Sequence, residues 1–210
     1  TGFTGNYDGQ GYTIENMNVV GQEGGLFEEL GCDSGNLRHV KNLTFENCSV
    51  DNSGYNHSGI IAGQGCDYEF ENLEFINCDI KAGGYTGLII GWMEYTSALT
   101  EDVTNKILRA DSCNVANYGS EDTGGLFGRI YEYADHKLTL HDIFFNNTNL
   151  DTEDDSGGLV GFIRDNNGDA FIEIQYVNFL NCYMQSSEDS GGLIGRADIT
   201  DGKIYRISLT

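Results

Sequence analysis

The fold class predicted from this sequence is all-β: a right-handed parallel β-helix, or β-solenoid, of about six to seven turns. Three observations predict it. A Gly-hydrophobic motif recurs six times, a strand-like motif recurs between its copies, and the 210 residues hold 29 Gly and no Pro.

The first motif reads Gly24-Gly25-Leu26-Phe27, Ser58-Gly59-Ile60-Ile61, Thr86-Gly87-Leu88-Ile89, Gly124-Gly125-Leu126-Phe127, Gly157-Gly158-Leu159-Val160 and Gly191-Gly192-Leu193-Ile194. Its second residue falls at 25, 59, 87, 125, 158 and 192, at intervals of 34, 28, 38, 33 and 34. A period of that length is one solenoid turn. Helical solenoids share it, but the 3.6-residue pattern is missing. The repeats are too short for the four strands of a propeller blade.

The second motif is clearest in Leu43-Thr44-Phe45-Glu46-Asn47-Cys48-Ser49-Val50 and Leu73-Glu74-Phe75-Ile76-Asn77-Cys78-Asp79-Ile80. A later copy runs from Val177 to Met184, and weaker ones end at Val115 and Leu150. Apolar residues alternate with polar ones, which is strand periodicity. The phase shifts at the Asn, a residue that tolerates the left-handed region, so each Asn marks a corner. Each repeat then reads as a strand bent at Asn, a loop and a short Gly-Leu strand. Six turns spaced roughly 4.8 Å apart give a rod about 29 Å long. Absence of Pro fits a chain whose backbone N–H groups are all needed as donors.

Residues 1–210 read as one β-helix section. Thr1 opens inside a motif and Ile204–Thr210 is a strand without a closing turn. The section is therefore expected to be cut from a longer repeat-containing protein. No apolar run approaches the roughly 18 residues of a membrane span. Net charge is −22, from 33 acidic and 11 basic residues. That excludes nucleic acid as a partner, because its phosphates demand Lys and Arg. It also disfavours anionic membranes and polyuronates, and favours cations or a neutral or basic partner.

Stacking turns each repeated position into a ladder. The corner ladder is Asn47, Asn77, Ser112, Asn147 and Asn181, with amides placed to bond along the rod. Beside it run Cys48, Cys78, Cys113, Thr148 and Cys182, read as small core residues, since CxxC pairs with clustered His are absent. Cys32 and Cys66 each lie seven residues after a motif Gly. They are expected as vertical neighbours in a disulfide, which places the chain in an oxidising compartment.

Three acidic pairs precede Gly-containing motifs: Glu121-Asp122, Asp154-Asp155 and Glu188-Asp189. In register they stack six carboxylates along one edge. A Ca²⁺ ion would relieve their repulsion, and a solvated corner with splayed side chains is the other reading. No other cofactor is implied. The loop Asp165-Asn166-Asn167-Gly168-Asp169 has alternating oxygen donors but lacks the EF-hand pattern. Sequons occur at Asn42, Asn47, Asn56 and Asn146. Asn56, in a polar loop, is the best glycan acceptor in a eukaryotic secretory setting.

Catalysis is not expected. A lyase acting on acidic sugars needs clustered basic residues, and a hydrolase needs paired carboxylates beside a cleft. No nucleophile elbow, phosphate-binding loop or zinc motif is present. His39, His57, His136 and His141 read as surface polar residues. Trp92 and Tyr95, with Tyr131 and Tyr133 one turn later, are the candidates for stacking on a sugar. The loops near Glu94–Lys106 and Ile130–Lys137 are the expected places for partner contacts.

The Gly-Leu-Phe-Gly run at Gly125–Gly128, with Gly158–Gly161 and Gly192–Gly195, resembles the GLUG repeat of bacterial surface adhesins and secreted proteases. The opening Phe3-Thr4-Gly5-Asn6-Tyr7-Asp8-Gly9-Gln10-Gly11-Tyr12-Thr13-Ile14, followed by Asn16-Met17-Asn18-Val19, is similar to the lead-in of such proteins. The first three turns depart from the motif: Glu28 replaces its closing Gly, and the turns at Gly59 and Gly87 reach theirs one residue late. The resemblance implies a non-catalytic section displayed at a cell surface. The expected function is an extracellular structural or adhesive stalk, meeting a protein or glycan or assembling end to end into a filament. The alternative is a carbohydrate-binding or polysaccharide-cleaving β-helix.

Overall fold

The computed structural model describes residues 2–31, 35–133, 136–166, 171–187, 190–199 and 203–209, with side chains up to residue 199. Every described element is a β-strand, and all pairing is parallel. The expected β-solenoid is what forms. One turn consists of Arg38–Glu46, Ser49–Asn52, His57–Ser58 and Ala62–Cys66. The next turn begins at Tyr68–Ile76, directly against Arg38–Glu46.

The turns stack into four sheets. A seven-stranded long sheet runs from Tyr7–Glu15 to Lys203–Leu209. A six-stranded side sheet runs from Asn18–Val20 to Tyr183–Ser186. A five-stranded short sheet is made of two-residue strands, His57–Ser58 to Ser190–Gly191. A six-stranded cleft sheet runs from Phe27–Leu30 to Ile194–Ile199. Five turns carry all four strands, where six to seven turns were expected. The surplus is accounted for by an opening turn without a short-sheet strand and by the single closing strand.

Sequence pattern becomes packing directly. Alternation along each strand sends apolar residues inward, where register aligns them into columns. Phe45 lies over Phe75 with ring centroids 5.4 Å apart, and Phe145 over Phe179 at 5.0 Å. Ala110 stands between these two pairs in the same column.

The Asn corners are left-handed, with φ of 53° at Asn47, 51° at Asn77, 49° at Asn147 and 53° at Asn181. A second left-handed column sits inside the long sheet at Asn42, Asn72, Ile107, Asp142 and Tyr176, φ 51–57°. The sequence hid it, because Ile and Tyr rarely adopt that conformation.

The Gly-Leu pair is a corner, not the short strand expected. Strand Thr123–Gly124 ends at it and Phe127–Glu132 starts after it. Leu126 and Leu159 point into the core, fully buried. The glycines are there for space rather than for φ. A Cβ on Gly124 would stand 1.9 Å from the Phe127 carbonyl oxygen, and one on Gly125 2.2 Å from that of Gly158.

Three cysteines of the column sit in the core, as expected, while Cys182 near its end is partly exposed. Cys48, Cys78 and Cys113 are buried, and each thiol donates to the carbonyl two residues before it, at 3.4–3.5 Å. Thr148 does the same with its hydroxyl, at 3.1 Å to Asn146. A hydrogen bond that holds the Cys78 thiol in its protonated form against Cys113, followed by burial, pushes it far above its usual range.

Candidate binding face on the cleft sheet

The outward column of the cleft sheet reads Glu29, Gln64, Trp92, Arg129, Phe162 and Arg196, one residue per rung. Tyr131 and Glu94 stand two residues further along, in register. From the short sheet, Tyr85 and His57 lean over the edge. Trp92 meets Tyr131 at 4.8 Å, Tyr85 at 5.1 Å and His57 at 5.5 Å, all near edge-to-face.

Arg129 lies among these rings. Its guanidinium carbon is 4.1 Å from the Tyr85 centroid, 5.0 Å from Phe162, 5.5 Å from Trp92 and 5.6 Å from Tyr131. A planar cation over ring faces is an attractive arrangement. Arg129 also ion-pairs closely with Asp122 and donates to the Tyr85 and Tyr131 hydroxyls at 2.9 and 3.2 Å. Arg196 repeats the theme, 5.1 Å from Phe162 and 3.5 Å from Asp155.

At two of its positions the acidic ladder departs from a solvated corner with splayed side chains. Asp122 and Asp155 do stack in adjacent rungs, but both are buried rather than splayed, 4% and 8% exposed. Arginines from the neighbouring sheet bring the countercharge. Burial pushes the Asp122 carboxyl up to about 6, and Arg129 offsets only part of that. The guanidinium of Arg129 is itself penalised by burial, yet the hydrogen bond and charge of Asp122 raise its pKa overall. Both shifts fit a pair withdrawn from water. Glu121 and Asp154 are partly exposed, and Glu121 stands 3.9 Å from Arg129. Glu188 and Asp189 lie outside the described residues. Among the described residues, no group of three or more His, Cys, Asp or Glu side chains is arranged to hold a metal.

Of the four candidate sugar-stacking residues, Trp92 and Tyr131 come together on strands rather than loops. Tyr133 follows Tyr131 at 6.1 Å. Tyr95 is a correction. It points inward, is fully buried, donates to the Tyr68 carbonyl at 3.1 Å and accepts from Asn105. Three residues from Trp92 along a strand puts it on the opposite face.

His136 is a second correction. It is buried beside Tyr95, with Nε2 3.4 Å from the buried carboxylate of Glu132. Burial, then Asp165 and Asp67, holds Glu132 well above the usual carboxylate range. His39 and His141 are partly exposed beside Glu69 and Asp142, and His57 is largely covered by Tyr85 and Trp92. Asp165 closes a buried strand end, while Asn167, Gly168 and Asp169 lie outside the described residues.

Asn56 is exposed in the turn before His57. The other sequon residues are engaged: Asn42 accepts from Asn72, Asn47 from Asn77, and Asn146 donates to Asp111. Cys66 is disulfide-bonded, and Cys48, Cys78, Cys113 and Cys182 are free. Cys32 lies outside the described residues.

Below Trp92 the face opens into a cleft of about 320 Å³. Glu29, His57, Gln64, Gly65, Cys66, Trp92 and Glu94 line it. Burial, then the charge of Asp67, raises the Glu94 carboxyl pKa. The sequence singled out Trp92 and Tyr131, opened a partner-contact loop at Glu94 and read His57 only as a surface residue, but gave no sign that Arg129 and Tyr85 join this face. The signal was present as one register position per turn, but it becomes readable only when loop lengths between turns are known. No protein-family model, no curated protein and no solved structure matches this chain.

Proposed function

We propose that this chain is a non-catalytic structural and adhesive β-solenoid, working outside the cell or at its surface, that contacts its partner through the cleft sheet. The observation that carries the reading is the outward stripe of Trp92, Arg129 and Arg196, packed over the covered ring of Phe162, with Tyr85 and Tyr131 beside it. Aromatic and arginine side chains dominate binding energy at protein surfaces. The parallel ladders beneath hold them on a rigid frame. The disulfide at Cys66 supports an oxidising compartment. The GLUG-like corners support the same placement, by analogy of motif alone. End-to-end assembly belongs to the proposal as a second mode of contact.

The test is adhesion of the immobilised chain to a panel of glycans and matrix proteins, with Trp92→Ala and Tyr131→Ala as variants. Expected is at least a tenfold loss of binding with an unchanged β-rich circular dichroism spectrum. Binding indifferent to both substitutions would move the contact surface elsewhere.

A carbohydrate-binding or carbohydrate-cleaving role is the second reading. Glu29 and Glu94 line the same cleft as Trp92, and glycoside hydrolysis uses two carboxylates about a cleft. Reducing-sugar release from neutral polysaccharides, abolished by Glu94→Gln, would establish it. An inactive chain would leave the adhesive role.

A further inference from the structure

We propose that the cleft below Trp92 is a receptor for a cationic side chain, the guanidinium or ammonium of an arginine or lysine in a basic partner polypeptide. The proposal rests on the adhesive reading of this face and names the chemistry of its partner.

The chain displays the chemistry itself, one rung away. On one side of Trp92, Arg129 is received by aromatic rings and by the carboxylates Asp122 and Glu121. On the other side, the corresponding rung position holds the uncharged Gln64. The walls there are of the same kind: Trp92 and His57 as rings, Glu29 and Glu94 as carboxylates. An open space of about 320 Å³ separates them, ample for a guanidinium or ammonium head.

Three further points select a cation over a neutral or anionic guest. Burial and the nearby Asp67 make Glu94 harder to ionise, and an incoming positive charge relieves that. Burial lowers the His57 pKa from its usual value, which favours the neutral ring over a charged one that would repel a cation. The chain carries net charge −22, which draws basic segments towards it over distance.

Trp92 is the chain's single tryptophan, so its fluorescence reports on the cleft directly. The probes are the blocked tripeptides Gly-Arg-Gly and Gly-Lys-Gly, the isosteric Gly-citrulline-Gly, and a neutral glucose hexasaccharide. Expected is a saturable change with both cationic peptides at a Kd on the order of 1 mM, suppressed by salt and absent with citrulline. The Glu29→Gln/Glu94→Gln pair should weaken binding about tenfold without lowering the melting temperature. An equal response to citrulline, or a response to the hexasaccharide alone, would overturn the proposal. A chain that adheres through Trp92 yet ignores both cationic peptides loses only the cation site. A chain that takes the arginine peptide but adheres equally well without Trp92 keeps the cation site and loses the adhesive reading.

Discussion

The side-chain amide of Asn77 donates to that of Asn47 at 2.6 Å, one rung apart, while both residues hold φ near +50°. Asn does two jobs here: it tolerates the left-handed corner, and it links that corner to its neighbour. Asn77→Ala loses both. The expected cost is about 2 kcal/mol, combining left-handed strain with one hydrogen bond. Asn77→Gly should cost clearly less, since glycine accepts the corner. Urea melts of the three proteins compare them, and equal costs for Ala and Gly would remove the strain argument.

Ile107 occupies the second left-handed column at φ 56°, between Asn72 and Asp142 in register. A β-branched residue is strained there. Ile107→Asn should stabilise the chain by about 1 kcal/mol, since its partly exposed side chain gives up little burial. A lower urea midpoint would show that its packing outweighs the strain.

Glu132 and Asp122 give stability a pH dependence of definite sign. Both carboxyls have folded-state pKa values above their ordinary ones. Each then binds protons more readily folded than unfolded, so its contribution is complete below the unfolded pKa and fades as pH rises. For Asp122, with Arg129, Asp155 and Glu121 around it, the window runs from 3.8 to about 6. For Glu132, facing Asp165, Asp67 and His136, loss begins above 4.5 and continues well past it. Glu132→Gln should therefore raise the melting temperature by several degrees at pH 8 and much less at pH 4. Parallel pH profiles for the variant and the parent would refute this.

Arg129→Met is expected to lower stability by about 3 kcal/mol, because it leaves the Asp122 charge buried with only partial relief. Adding Asp122→Asn should restore most of the loss. The same arginine bears on calcium. With Arg129 and Arg196 beside Asp122 and Asp155, millimolar Ca²⁺ should shift the melting temperature by less than about 2 °C. A rise of many degrees, absent when Asp122, Asp155 and Asp189 are changed to Asn, would instead assign the acidic edge to calcium.

The disulfide at Cys66 can be read chemically. Four thiols should titrate in the denatured, unreduced chain, those of Cys48, Cys78, Cys113 and Cys182. A non-reducing digest should yield a peptide joining Cys32 to Cys66. Six titratable thiols would eliminate both the bond and its argument for an oxidising compartment.

The rungs were legible because a solenoid repeats its contacts at fixed sequence intervals. Asn47, Asn77, Asn147 and Asn181 announced their corners, and the buried Cys column followed from them. Ile107 and Tyr176 hid the second left-handed column, because nothing in their chemistry signals a left-handed backbone. Tyr95 was misplaced because one residue of phase along a strand exchanges the solvent face for the core. Sequence alone determined the parallel solenoid, its Asn corners and the core columns beside them, since these depend on local periodicity and conformational preference. Only the tertiary structure decided which side chains meet across corners: Arg129 with Asp122, His136 with Glu132, and Trp92 with His57. Those meetings depend on strand phase and loop length summed over whole turns, and no local pattern of residues encodes that sum.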